Sequence, residues 1–157
     1  MKYVGICLLL LGAYLASTEY KARLERSERV LLGYLSFVSE MRSRAATCLE
    51  PPSRWVGSFV CEELEEIGFL SAIRGGADLE RALKSSHGVL DKDAFDVLSR
   101  LFSGGGGYLE DELRRMDGAI RALEEQREKS ARSTRDRVKL FRTLAIAAAV
   151  GVAILVV

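Results

Sequence analysis

The residues whose types and spacing could do chemistry are a run of four glycines, a single histidine and several paired carboxylates. A phosphate-binding loop has a comparable glycine content, but it needs a Lys-Ser/Thr pair after it and a strand before it. The run at 104–107 has neither, so it is interpreted as a connector between two helices. His87 precedes Gly88 in a polar stretch with no carboxylate–serine or thiol arrangement beside it, and is interpreted as an exposed turn residue.

Paired carboxylates occur in two segments that are otherwise typical of helices. Glu62 and Glu66 lie in the first segment, and Glu110 and Asp111 begin the second. Both segments are rich in counter-charges, so solvated helix faces are the first interpretation. The alternative for the acidic face at 62–66 is a docking surface for a basic partner. No convergent set of acid, base and nucleophile is visible, and the chain is predicted not to be an enzyme.

The composition argues against metal binding and nucleic-acid binding. The three cysteines, at 7, 48 and 61, have no CxxC spacing, and one histidine is too few for a typical zinc site. The 157 residues include 23 Lys+Arg and 22 Asp+Glu, for a formal net charge of +1. Duplex-binding domains usually carry a strong basic excess on one face. We therefore predict no metal, no cofactor, no nucleic-acid partner and no small-molecule substrate.

Both ends of the chain are apolar and uncharged, over residues 3–16 and 144–157. A membrane-spanning helix needs roughly 20 apolar residues, and each run approaches that length with its flanking residues. We predict transmembrane helices at 1–18 and 141–157, with a helical domain at 19–140 between them. The alternatives are a cleaved signal peptide for the first run, whose exit is a poor cleavage site, and a buried core helix for the second.

Basic residues flank the inner side of both apolar runs, at 21–29 and repeatedly between 127 and 142. The positive-inside rule therefore predicts a cell-membrane protein whose middle domain lies in the cytoplasm. The basic density at 127–142 also predicts contacts with anionic membrane lipids, because each Lys or Arg near such a surface contributes about 1 kcal/mol.

The middle of the chain has helical periodicity and no alternation typical of strands, so the predicted fold class is all-α. Helices are expected over 24–46, 54–67 and 78–86, then from Asp91 or Asp93 to about 102, and from about 109 into the second span. Apolar residues in the last helix step by four and three, which predicts a heptad seam: Leu109, Leu113, Met116, Ile120 and Leu123. The first interpretation is packing within the chain, and the alternative is a dimer interface.

Two passages resemble the cytoplasmic helical domain of the type II secretion and type IV pilus inner-membrane platform proteins. They are GADLERAL at 76–83 and LFSGGGGYLEDEL at 101–113. The order of first span, small helical domain, long charged helix and second span is similar to the stage III sporulation protein AB family. Arg114 stands where that family usually has a glutamine.

The resemblance implies a small helical bundle like half of the platform's repeated six-helix unit, acting as a non-catalytic scaffold subunit. The complex would be a sporulation-specific, secretion-like channel between mother cell and forespore. Implied partners are a secretion-type ATPase and other membrane subunits of the channel, on the mother-cell side. The alternative is a two-span adaptor or platform subunit of a pilus or general secretion system. The predicted contact residues are Gly107, Glu110, Asp111, Arg114, Glu62 and Glu66.

Overall fold

The computed structural model describes the backbone of residues 2–48, 50–104 and 108–156. Side chains are described for 18–19, 21–48, 50–51, 54–104, 108–132 and 143. The described residues contain helices and no strand, which confirms the all-α class. The elements are α1 (Lys2–Cys48), α2 (Pro52–Trp55), α3 (Glu62–Glu66), α4 (Phe69–Arg74), α5 (Leu79–Leu83), a 3-10 turn (Lys84–Ser86), α6 (Lys92–Ser103) and α7 (Leu109–Val156).

The two long helices, α1 and α7, run antiparallel and frame the domain. Arg42 pairs with Asp117, and the Nε of Arg127 lies 3.8 Å from the Oε1 of Glu28. Residues late in α1 therefore meet residues early in α7. Both helices leave the domain at the same end, which we call the proximal end. The opposite end, where α1 finishes and α7 begins, is the distal end.

The core lies between α1 and the short helices. Phe37 of α1 is fully buried, and its ring centroid is 5.2 Å from those of both Trp55 and Phe69. Tyr34, one turn earlier, packs edge-on against Phe69 at 4.8 Å. Because these positions recur every three or four residues along α1, one continuous face of the helix is removed from water.

The predicted seam of α7 is buried in its second half. Met116 and Leu123 belong to the core, and Ile120 packs against it. Leu113 is only half-buried, and Leu109 remains 38 % exposed. The interpretation of the seam as packing within the chain is confirmed from 116 to 123, whereas its first turn stays open.

The short helices are set by their ends. Asp91 caps α6, since its Oδ1 accepts a hydrogen bond of 2.9 Å from the backbone N–H of Lys92. Gly68, between α3 and α4, has a φ of 82°, a left-handed backbone conformation that residues other than glycine rarely adopt. These ends allow four short helices to turn within a small volume against α1.

The prediction of one helix over 54–67 is wrong. The chain leaves α2 in a turn, with backbone hydrogen bonds from Ser58 to Trp55 (2.9 Å) and from Phe59 to Val56 (3.3 Å). The hydroxyl of Ser58 also donates to the Trp55 carbonyl at 2.8 Å, and this competes with continuation of the helix. The turn brings Phe59 within 5.5 Å of the Phe37 ring centroid. Tertiary packing of an aromatic side chain therefore outweighs local helical periodicity.

No helix within the described part of the chain has a segment long and apolar enough to cross a membrane. The predicted spans, 1–18 and 141–157, fall almost entirely on residues whose side chains lie outside the described set.

Candidate partner-binding surfaces

The predicted contact residues lie on two separate surfaces. Glu62 and Glu66 are on α3, which packs against the proximal half of α1 through the Arg26–Glu66 ion pair. The start of α7 lies at the distal end, beside Met41 of α1. Fifteen residues of α1 separate Arg26 from Met41, about 22 Å at 1.5 Å per residue. The structure does not bring the two predicted sets together, and Gly107 lies outside the described residues.

The acidic face of α3 is largely occupied by ion pairs within the chain. Glu66 accepts a hydrogen bond of 2.7 Å from Arg26, and Glu65 accepts bonds of 2.8 and 2.9 Å from Arg74. Glu62 is exposed and makes no ion pair with the described side chains. The interpretation of this face as a solvated surface therefore accounts for most of its charges, and Glu62 is the residue left for an external contact.

The start of α7 presents exposed charges at the distal end. Glu110, Asp111 and Arg114 are all exposed, and the structure gives them no ion pair among the described side chains. Acidic residues in the first turn of a helix are favoured by the helix dipole. The structure thus places three predicted contact residues where another protein can reach them.

A neighbouring residue, Arg115, holds the distal turn together, and sequence reasoning missed it. Its guanidinium donates hydrogen bonds to the carbonyl of Gly104, and to those of Arg100 (3.1 Å) and Leu101 (3.2 Å). These carbonyls end α6 and have no partner within that helix. A cation at this position satisfies them and complements the negative end of the helix dipole.

Gly104 lies against the same arginine, so a side chain at this position would require the guanidinium to move. A Cβ at residue 104 would overlap the guanidinium of Arg115. The sequence offers one signal for this role: Arg115 is one turn before the buried Ala119 and two turns before Leu123, so it lies along the same side of α7 as these residues. Arg114, one residue earlier, is also exposed but makes no such contacts with the described residues.

Asp117 links α7 to α1 one half-turn further along. Arg42 donates to both carboxylate oxygens, through its Nε to Oδ1 and through its Nη2 to Oδ2 at 3.1 Å. This hydrogen bonding, with the charges of Arg42 and Arg121, holds the pKa of Asp117 below its usual value. Together, Arg115 and Asp117 fasten the beginning of α7 to both of its neighbouring helices.

Two clefts open beside α7. The distal cleft, of about 400 Å³, lies between α1, α5, α6 and α7. The proximal cleft, of about 390 Å³, lies between α1, α7 and the start of α6. In the proximal cleft the charges are largely paired: Lys21 with Glu25 at 3.6 Å and Arg127 with Glu28 at 3.8 Å. Gln126, which also lines that cleft, donates a hydrogen bond to Asp91 at 2.8 Å.

Within the described residues no group of three His, Cys, Asp or Glu side chains is arranged to hold a metal ion. Comparison of the chain with protein-family models, with curated proteins and with solved structures finds no match.

Proposed function

We propose that this protein is a non-catalytic scaffold subunit of a membrane channel complex of the secretion-platform kind, acting in sporulation between mother cell and forespore. The observation that carries the proposal is the antiparallel α1–α7 frame. Because α1 and α7 are antiparallel, the two helices that contain the apolar runs leave the domain at the same end. A two-span membrane protein with a domain on one side of the bilayer needs this geometry.

The contact surface in this proposal is the distal end. Once the proximal end faces the bilayer, Glu110, Asp111 and Arg114 lie on the side of the domain that points into the cytoplasm. These three residues form no ion pair with the described side chains. These are the residues we assign to contact with a secretion-type ATPase, and Glu62 on α3 is assigned to a lateral neighbour in the same complex.

The alternative, a two-span adaptor or platform subunit of a pilus or general secretion system, uses the same architecture. The sequence passages at 76–83 and 101–113 resemble the platform domains of both type II secretion and type IV pilus systems. The two proposals differ in the proteins that accompany the chain, which makes partner identification the decisive experiment.

The test is affinity purification of the tagged full chain from native membranes of sporulating cells, followed by mass spectrometry. Recovery of a secretion-type ATPase with small membrane subunits supports the channel proposal, and recovery of pilins or general secretion components supports the alternative. Intact, abundant bait that recovers neither overturns both.

A matched pair of charge reversals locates the contact. Asp111→Lys is expected to lose the ATPase from the purified complex, because it reverses an exposed charge at the distal end. Glu124→Lys reverses an exposed charge further along the same helix and is expected to retain it. Equal recovery with both variants would exclude the start of α7 as the contact.

A further inference from the structure

The distal cleft is an apolar cavity between α1, α5, α6 and α7. Its apolar lining includes Met41 and Ala45 from α1, Leu101 and Phe102 from α6, and Leu109 and Met116 from α7. A volume of about 400 Å³ lies within the range of roughly 300–1,000 Å³ that binds small ligands or anchoring side chains. Leu109 at the rim is 38 % exposed, so apolar surface extends out of the cavity.

The charge around the cleft is negative. Glu50 and Glu112 line it, and Asp111, which precedes Glu112 in the first turn of α7, is exposed. The one cation in the lining, Arg115, donates to three carbonyl oxygens at the end of α6, and its charge offsets the negative end of that helix. Arg44 lies 3.6 Å from Glu50 but also pairs with Glu40 at 2.6 Å. Negative charge around an apolar cavity complements a segment that is apolar and basic.

The basic stretch of a second copy does not reach this cleft in the proposed membrane arrangement. The basic stretch of the chain lies at 127–142, toward the proximal end. From Met116 to Arg127 along α7 is about 16 Å, and to residue 142 about 39 Å. Two copies in one membrane have their clefts at the same height, so the basic stretch of one cannot reach the cleft of the other.

We infer that the distal cleft binds a segment of a partner protein that places one or two large apolar side chains in the cavity and Lys or Arg side chains against Glu50, Glu112 and Asp111. This inference rests on the proposed function for its choice of the distal end as the side that faces a partner. It adds the chemistry of the partner segment, which the exposed charges alone do not specify.

The test uses the full chain in nanodiscs of zwitterionic phosphatidylcholine, which does not attract cationic peptides. The probe is a fluorescein-labelled peptide of fifteen residues with Leu at helical spacing and Lys elsewhere, followed by fluorescence anisotropy. Two comparison peptides replace Lys by Glu or Leu by Ser. The blocking variant is Ala45→Phe, which fills the cavity, and its matched control is Ala46→Phe, at the exposed neighbouring position of the same helix.

The Leu/Lys peptide is expected to bind, and Ala45→Phe to weaken it by about tenfold or more, the effect of losing a central anchor. Ala46→Phe is expected to bind like the original chain, and Glu112→Gln to weaken binding. Absence of binding, equal binding of the Leu/Glu peptide, or an equal loss with Ala46→Phe overturns the inference. Self-association that Ala45→Phe abolishes would instead make a second copy the occupant, and also overturns it.

The fold of each variant is checked by the fluorescence of Trp55, the single tryptophan of the chain. If Ala45→Phe lowers the unfolding midpoint, Leu109→Ser at the exposed rim takes its place. The result of the peptide-binding experiment is independent of the result of the partner purification. Peptide binding without ATPase recovery would leave the cleft established and the proposed function refuted, and the reverse result would leave the proposed function standing without this cleft.

Discussion

Replacing Tyr34 by phenylalanine removes one half of a hydroxyl pair that is sealed inside the domain. The Tyr34 hydroxyl and the Ser86 hydroxyl are hydrogen-bonded to each other, and both residues are 0 % exposed. Tyr34 belongs to α1 and Ser86 to the 3-10 turn after α5, so the bond joins segments 52 residues apart. Each hydroxyl depends on the other, because water does not reach either side chain.

The expected cost follows from leaving one buried hydroxyl without a partner. Tyr34→Phe and Ser86→Ala are each expected to lower the free energy of unfolding by about 1–3 kcal/mol. The double variant removes both polar groups, so its loss of unfolding free energy should be clearly smaller than the sum of the two single losses. A double-mutant cycle is therefore expected to give a coupling of about 1–2 kcal/mol.

The assay is urea unfolding of the full chain in mild detergent, followed by the fluorescence of Trp55. This residue is 3 % exposed and contacts Phe37 and Phe59, so its emission reports on the core. If the single effects of Tyr34→Phe and Ser86→Ala simply add, the two hydroxyls do not satisfy each other and the reasoning fails.

The same tyrosine predicts an alkaline dependence of stability. Burial raises the pKa of Tyr34 well above its usual value, against a smaller opposite effect of the Ser86 hydrogen bond. A raised tyrosine pKa gives stability that is complete below the unfolded pKa of about 10 and is lost as pH rises toward the folded value. The loss from this group is about 1.4 kcal/mol per pH unit. Tyr34→Phe should show a shallower decline above pH 10 than the original chain, and identical slopes would contradict this.

Three further predictions use the same fluorescence assay. Leu123→Ala should lower the free energy of unfolding by about 2–5 kcal/mol because Leu123 is fully buried, whereas Leu113→Ala, at a half-buried position, should lower it clearly less. Equal losses for the two variants would contradict the burial described for the seam. Arg115→Ala should lower the free energy of unfolding by about 1–2 kcal/mol through the lost carbonyl contacts, against less than about 0.5 kcal/mol for Arg114→Ala. The reverse order would exclude a stabilising role of the Arg115 contacts. The lowered pKa of Asp117 makes its contribution present above the unfolded pKa and lost as pH falls through the lowered value, so Asp117→Asn should flatten the acid side of the stability profile.

The elements with strong periodicity and clear end signals could be predicted from the sequence. The sequence predicts that α6 starts at Asp91 or Asp93, and in the structure Asp91 is the capping residue. The long helix from 109 begins at Leu109. The region between 54 and 74 could not be predicted, because its turns depend on contacts with α1. Gly33 shows this dependence: a Cβ there would lie 2.9 Å from Cys61 Sγ and 3.0 Å from Leu64 Cγ, so α3 packs directly on the α1 backbone.

The candidate surfaces also contain some features that follow from local sequence and others that depend on tertiary contacts. The exposure of Glu110, Asp111 and Arg114 follows from local sequence, since charged residues at a helix start usually face solvent. The roles of Arg115 and the distal cleft are tertiary, because they require the end of α6 to lie against the start of α7. Periodicity places Arg115 on the same side of α7 as Ala119 and Leu123 but gives no information about which carbonyl groups it contacts.

The register between α1 and α7 is fixed inside the domain. Asp117 and Arg127 both pair with α1, and they are ten residues apart on α7, about 15 Å. A slip of one residue would rotate α7 by about 100° and separate both pairs, and it would also withdraw Arg115 from the end of α6. The direction in which the two helices leave the domain is therefore set by side chains between 28 and 127. In the proposed arrangement, both helices approach the bilayer from the same end of the domain, because the two ion pairs hold α1 and α7 antiparallel.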